Sequence, residues 1–452
     1  MSPANFRLIV YARDRWSEAC PTLRVVGPAA AAGLEVIPGY DWDTGSIRIQ
    51  PALVDSANAV VICRDFPRYS NESQEIITRA HHQGIPLIYE TDDILFDMPL
   101  EHPDFLYYQA AAPMILSTIL EADRVVTSTV YLKEKLAPYH PDVQVIPNLL
   151  NDDLWKIPEQ AAIDPPSPPV VIGYFGTHTH IRDVEMIQLA LAQTLDRFGQ
   201  QVLLKIWGDC LPAKLAAHPR VERVSAGIFD YARFAEHIQQ QRVDIWIAPL
   251  LNKPFNRAKS AIKFLEYSAT ATPGIFSRIE PYETIIQDGE NGFLASGDAE
   301  WIDRLSQLVQ NAPLRRQMGG RALETVRANW RLSQKSALFS QIYRSAACRA
   351  PGVERYTSPQ AAAALNTLAS GNRQVIDRLD QLSYLEKVLS ENRLEGAPEA
   401  VSTADLFHML RDAQQYGSAR DAELSAVRSS TTYRLASVFG RAAGFATHLL
   451  QR

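Results

Sequence analysis

Residues 243–268 read VDIWIAPLLNKPFNRAKSAIKFLEYS. The first part, Val243–Pro249, is mostly apolar and closed by proline, which predicts a strand buried on both faces. Phe255–Ser268 has helical spacing. At about 100° per residue, Ala261, Ile262, Leu265 and Ala269 share one arc, with Lys259, Lys263 and Glu266 as a polar stripe roughly opposite. Asn256 is placed to cap that predicted helix, where free backbone N–H groups and the positive helix end favour an anion. Lysines in the first turn with a carboxylate two turns on oppose the helix dipole. They suit a bound diphosphate with a ribose beside it. A solvated helix face is the plain alternative.

The same alternation runs through most of the chain. Predicted strands Arg7–Ala12, Ala59–Cys63, Pro86–Glu90, Arg124–Thr127 and Val143–Ile146 are separated by helical patterns such as Asn71–Gln83 and Tyr131–Ala137. Continuous apolar strands alternating with helices imply a parallel sheet covered on both faces. Asp164-Pro165-Pro166-Ser167-Pro168-Pro169 can form neither helix nor interior strand and reads as a stiff linker. Beyond it the alternation restarts with Val170–Phe175, Val202–Trp207, Val243–Pro249 and Gly274–Ser277. The expected organisation is therefore a Rossmann-like domain over 1–163, a linker over 164–169, a second Rossmann-like domain over 170–349 and a helical tail over 350–452. A ligand belongs in the cleft between the domains, at the carboxyl ends of the strands.

Composition narrows the function. The chain has 452 residues, 46% hydrophobic and 21% charged, with a net charge of -6. No basic run with interleaved aromatics appears, so nucleic acid is not an expected partner. Cys20, Cys63, Cys210 and Cys348 form no CxxC pair, which implies neither a disulfide framework nor a zinc site and fits a reducing cytosol. The N-terminus has no signal-peptide pattern, and no apolar run is long enough to span a bilayer. The expectation is an intracellular protein. In the tail, Gln360–Leu394 has helical spacing. A last amphipathic pattern gathers Leu435, Val438, Phe439, Ala442, Phe445, Ala446, Leu449 and Leu450 on one face, with Arg434, Arg441 and Arg452 as its charges. That face suits docking on the body, a helix partner, or peripheral contact with the inner membrane face.

Several turns of the second domain fall on one rim if its sheet is parallel. Gly176-Thr177 follows the first strand, before a helix beginning near Arg182, and can present N–H groups to a phosphate. The full GxGxxG fingerprint is absent, so a dinucleotide is disfavoured. Gly208-Asp209, Pro281-Tyr282 and Asp288–Leu294 mark further turns. Asp41-Trp42-Asp43 spells an acidic DxD but lies in a Pro/Gly-flanked segment and reads as a loop. His178 and His180 lack the partners of a metal site.

Taken together, Ala248–Glu266 with its FN-x-x-KS-x-x-K-x-LEY segment, Pro281-Tyr282 and Asp288–Leu294 resemble the donor domain of GT-B glycosyltransferases of family 4. The likeness is to members associated with bacterial surface polysaccharide assembly. Ser429–Leu435 resembles a short Ser-x-x-aromatic-Arg-Leu segment of similar proteins. The resemblance implies an α/β GT-B fold and a hexosyltransferase-type enzyme. Its donor would be a nucleotide sugar, bound as substrate with no cofactor, and its acceptor a glycan or lipid-linked glycan. It further implies retention of configuration without a metal. By the same resemblance Glu266 grips the ribose hydroxyls, Gly176 and Thr177 face the phosphates, and Lys259 and Ser260 meet the diphosphate and sugar, with Asn256, Lys263 and His180 as further donor contacts. Lys259 would offset charge on the departing diphosphate. Many relatives carry a second glutamate eight positions before the ribose carboxylate, where this chain has Ala258. In the first domain Asp92 and Asp93, at a strand end, are the candidate catalytic carboxylates, and Arg24 and Arg64 are candidate acceptor contacts. Two alternatives are a nucleotide-sugar epimerase on the same scaffold and a non-catalytic assembly subunit that binds through its tail.

Overall fold

The structure, a computed structural model, describes residues 6–43, 46–159, 168–224, 230–348, 355–371 and 373–374. Its first unit is built on β1 (Arg7–Tyr11), β2 (Glu35–Pro38), an antiparallel hairpin of β3 (Tyr40–Asp43) and β4 (Ser46–Ile49), then β5 (Ala59–Cys63), β6 (Leu87–Thr91), β7 (Arg124–Thr127) and β8 (Val143–Val145). Six of these form a parallel sheet in the order β2-β1-β5-β6-β7-β8. Every residue of β5 and β6 is buried, as continuous apolar runs in a doubly covered sheet should be. Helices α1 (Ser70–Gln83), α2 (Phe105–Glu121) and α3 (Val130–Leu136) lie between strands. The DxD segment is not the expected loop. It is strand β3, held by β4, and Asp41 lies 3.5 Å from Arg48.

The second unit repeats the plan with β9 (Val170–Phe175), β10 (Val202–Trp207), β11 (Val221–Val224), β12 (Ile245–Ala248), β13 (Gly274–Ser277) and β14 (Phe293–Ala295). All pair in parallel, in the order β11-β10-β9-β12-β13-β14. The order reverses between β9 and β12, so the crevice outside their carboxyl ends is the natural ligand position. The helices used below are α4 (Ile181–Met186), α5 (Gln188–Phe198), α6 (Tyr231–Gln240), α7 (Pro254–Arg257), α8 (Ile262–Ser268), α9 (Gly297–Gln310), α10 (Ala312–Asn329) and α11 (Ser336–Arg344). Stacked rings fill the core under the crevice: Trp246 on Tyr267 at 4.3 Å, and Phe175 on Trp207 at 4.7 Å.

The chain crosses between units twice. Leu150 pairs with Arg331, where the returning segment passes beside the outgoing one, and Asp152 accepts from the Ser333 amide at 2.9 Å. Helix α11 belongs to the second unit by position in the chain, yet Phe339, Ile342 and Tyr343 sit in the first unit's core with Leu8, Val25 and Ile88. Arg124 fixes its end by donating to the Ile342 carbonyl at 2.6 Å. Residues 358–371 are helical and start the expected tail; Ala364 packs into the first unit and Tyr139 meets Thr367 at 2.8 Å. The linker residues 164–167, the rest of the predicted Gln360–Leu394 pattern, the Ser429–Leu435 segment and the terminal amphipathic pattern lie outside the described residues. Among the described residues no helix is long and apolar enough to cross a membrane.

Candidate functional site

The rim of the second unit begins at the end of β9. Gly208, in the turn after β10, has φ +96°, and a Cβ there would stand 2.1 Å from the Gly176 carbonyl oxygen. Only glycine allows the two turns to close on each other. Lys263, in the first turn of α8, donates from Nζ to the Phe175 carbonyl at 2.7 Å and so stands beside Gly176 and Thr177. Burial lowers its pKa. One turn on, Glu266 is 6% exposed. Its Oε1 accepts from the Tyr231 hydroxyl at 3.0 Å, and that hydroxyl accepts from Trp155 Nε1 at 3.3 Å. Among the described residues only Oε1 is so engaged. Burial pushes the Glu266 carboxyl up to about 7, against the opposing pull of Lys263 and the Tyr231 hydroxyl. Gly176, Thr177, Lys263 and Glu266 are thus brought to one edge.

The segment Phe255–Ser268 is not one helix. It breaks into α7 and α8 around residues 258–261. The cause is tertiary. Phe255 and Ala258 are buried in the first unit's core, and the Ala258 carbonyl accepts from Thr129 Oγ1 at 3.0 Å. Asn256 therefore does not cap the helix bearing Glu266, whose N-cap is Ala261. Its amide instead donates to the Leu251 carbonyl at 3.0 Å and lies 3.4 Å from Asp183. Lys259 leaves the helix altogether and crosses to Asp93 at 3.2 Å. Ser260 accepts from Asn148 Nδ2 at 2.7 Å, a third bond between the units.

The first unit meets these groups with the residues that follow β5 and β6. Arg64 pairs with Asp92 and lies 3.4 Å from Asp93. Burial works to raise the Asp93 pKa, but Lys259 and Arg64 prevail and hold it below the usual carboxylate range. Asp92, Asp93, Arg64 and Lys259 therefore form one charge-balanced cluster spanning the cleft. Arg24 does not join it. Its side chain is 1% exposed, paired with Glu90 at 2.6 Å, and donates to the Ile146 carbonyl and to Asn148 Oδ1, each at 2.7 Å. A guanidinium sealed in this way braces the first sheet and cannot receive an acceptor.

A cavity of about 480 Å³ opens between the units, lined by Pro99, His102, Met186, Leu251, Phe255, Asn256, His180 and Lys259 among others. It reaches His180, Asn256 and Lys259 but not Glu266, Lys263 or the Gly176 turn, so only part of the donor candidates line it. His180 meets Asp183 Oδ2 from Nδ1 at 2.8 Å, and burial lowers its pKa to about 4. The ring is neutral near pH 7; with Nδ1 facing a carboxylate, Nε2 is left as an acceptor.

Sequence reasoning missed Asp183, Tyr231, Asn148 and Thr129. Asp183 is 3% exposed and ties His180 to the Leu251 amide, 2.8 Å from Oδ1. Its place in the first turn of a helix after a glycine turn was a usable signal. Tyr231 follows Asp230, the cap of α6. Asn148 and Thr129 carry no local signal, because their partners lie 112 and 129 residues away. The described residues contain no group of three or more His, Cys, Asp or Glu suited to a metal ion.

Comparison with known proteins agrees with this geometry. Residues 169–311 match the family model described as Glycosyl transferases group 1. The chain is 26% identical over 188 residues to D-inositol 3-phosphate glycosyltransferase of Corynebacterium diphtheriae, covering 39% of this chain and 43% of that protein. The chain thus spans less than half the length of that curated relative. Among solved structures it is similar to sucrose-phosphate synthase from Thermosynechococcus elongatus, with a TM-score of 0.53, 14% identity, and 75% of this chain and 98% of that one covered. It is also similar to HepE from Anabaena in complex with UDP and glucose, with a TM-score of 0.52, 12% identity, and coverages of 75% and 99%. At such identities the likeness is one of fold. The described body has the α/β GT-B fold, two Rossmann-like units facing a cleft, and its second unit carries a segment that matches the group 1 glycosyltransferase model.

Proposed function

We propose that the protein is a glycosyltransferase that moves a sugar from a nucleotide donor to an acceptor hydroxyl in the cleft. The observation that carries this reading is the convergence of Gly176, Lys263 and Glu266 at the β9/β12 switch point, with Lys259 reaching from the same edge into the cleft. A carboxylate with one oxygen held by Tyr231 and the other unengaged among the described residues suits ribose hydroxyls. Lys263 beside the Gly176 turn, and Lys259 beyond it, suit the charge that grows on a departing diphosphate. Lys259, within 3.2 Å of Asp93, turns from it to the diphosphate when the donor binds. Asp92 and Asp93, ordered by Arg64, then face the acceptor hydroxyl and orient it or take its proton. The reading includes hexosyl transfer with retention, no metal requirement, and a glycan or lipid-linked acceptor in bacterial surface polysaccharide assembly. These finer parts rest on the sequence likeness of the Phe255–Tyr267 segment. Cytosolic placement with peripheral contact at the inner membrane face rests on the tail pattern.

A thermal-shift panel of UDP, GDP and dTDP sugars tests the reading, because a true donor stabilises the folded state by mass action. One nucleotide class should raise the melting temperature of the wild type, and neither Glu266→Ala nor Lys259→Ala should match that shift. NMR of the product then reads the anomeric outcome. Absence of any shift across the panel, or unchanged turnover in both variants, refutes the assignment.

A further inference from the structure

The second unit has another cavity, of about 670 Å³, at the opposite end of its sheet from the cleft. Residues preceding β12 and β13 form its floor, and the first turn of α10 forms one wall. Among the described residues Lys156, Arg242, Arg315 and Arg316 line it, with Asp244 as the carboxylate. Asp244 is engaged: its Oδ2 accepts from the Val171 amide at 2.9 Å and stands 3.9 Å from Arg242. In a chain whose net charge is -6, this is a concave surplus of positive charge.

Arg315 makes the cavity more than a cluster of surface cations. It is 7% exposed, and its Nη1 donates to the Leu308 and Val309 carbonyls at 2.5 and 3.0 Å, at the end of α9. Among the described residues no acceptor meets its Nε or Nη2. The guanidinium also sits in the first turn of an 18-residue helix that has no acidic residue there. A cation at the positive end of a helix is unfavourable, and an anion at that position offsets both charges. Burial lowers the Arg315 pKa; Asp244 opposes that shift, and Arg316 adds to it. The concavity has the size of a small-molecule pocket, roughly 300–1,000 Å³, rather than the flat form that meets a membrane or a duplex.

We propose that this cavity is a second anion site, distinct from the cleft, which takes a small molecule bearing a diphosphate or an equivalent phosphate ester. Guanidinium groups provide planar forks for phosphate oxygens, and Lys156 supplies a movable charge at the rim. The inference stands apart from the proposed transfer reaction, since none of its residues lies in the cleft.

Calorimetric titration of the full chain with inorganic pyrophosphate at fixed ionic strength tests it. Lys259→Ala is used as background, so that a loss in the cleft is not mistaken for a loss in the cavity. Pyrophosphate should still bind that variant. Adding Lys156→Ala and Arg316→Ala, both at exposed positions, should weaken binding at least about tenfold. Exchanging the same two residues as Lys156→Arg and Arg316→Lys should retain it. Absence of binding in the Lys259→Ala background overturns the proposal, as does binding that the Lys156→Ala/Arg316→Ala pair leaves unchanged.

Discussion

Replacing Glu266 by Gln should change how stability depends on pH, in a direction opposite to most carboxylates. Burial raises this carboxyl from its ordinary 4.5 to about 7. Between these values the folded protein keeps a proton that the unfolded chain has released. The favourable contribution of the protonated group is therefore complete below pH 4.5 and is lost as pH rises through about 7. At about 1.4 kcal/mol per pKa unit the whole interval amounts to about 3 kcal/mol, of which about 2.5 falls between pH 5 and pH 8. The Glu266→Gln side chain has the same shape and no proton to lose. Urea denaturation of both proteins at pH 5 and pH 8 gives the difference, with titrations away from Lys263 and the tyrosines around Glu266 common to both. The wild type should lose about 2.5 kcal/mol relative to the variant on going to pH 8. If the ribose hydroxyls need the ionised carboxylate, donor affinity in the wild type should weaken about tenfold per pH unit below 7. It should be poor and nearly flat with pH in the variant. Parallel stability profiles would show that Glu266 titrates normally and would refute the raised pKa.

Three other substitutions probe separate features of the molecule. Ala258→Glu supplies the acid that the family resemblance implies at this position, but here it puts a carboxylate into the first unit's core. It should cost about 3–5 kcal/mol in urea denaturation and open the cleft in small-angle scattering; unchanged stability would mean that the segment is not docked. Arg24→Met leaves Glu90 buried without its partner. Stability should fall by about 3–5 kcal/mol, while acceptor KM, measured below the lowered melting point, stays at the wild-type value; a raised KM would restore Arg24 to acceptor binding. Gly208→Ala forces a side chain onto the Gly176 carbonyl at positive φ. It should destabilise the fold by about 1–3 kcal/mol and weaken donor binding, whereas wild-type affinity would separate the Gly176 turn from the donor.

The parts legible in the sequence were those governed by local pattern. Ala59–Cys63 and Ile245–Ala248 are central strands of parallel sheets, covered on both faces, so their apolar runs are unbroken. Parallel topology then places every turn at a carboxyl strand end on the same rim, Gly176 among them, while it was the family resemblance that joined Lys263 and Glu266 to that turn. The hairpin Tyr40–Ile49 escaped because its alternation is short and its outward residues are polar. The break at 258–261 was not legible at all, since it is imposed by the core of the other unit, into which Phe255 and Ala258 insert. Arg24 looked available to an acceptor because its partner Glu90 lies 66 residues away.

The most direct measurement is a crystal structure of the full chain with the nucleotide sugar that gives the largest thermal shift. The ribose hydroxyls should lie at hydrogen-bond distance, about 2.6–3.2 Å, from the Glu266 carboxylate, and the diphosphate against the Gly176 turn with Lys259 turned from Asp93 toward it. A nucleotide seated elsewhere, with the Lys259–Asp93 pair intact and Glu266 out of reach of the ribose, would contradict the proposed donor site.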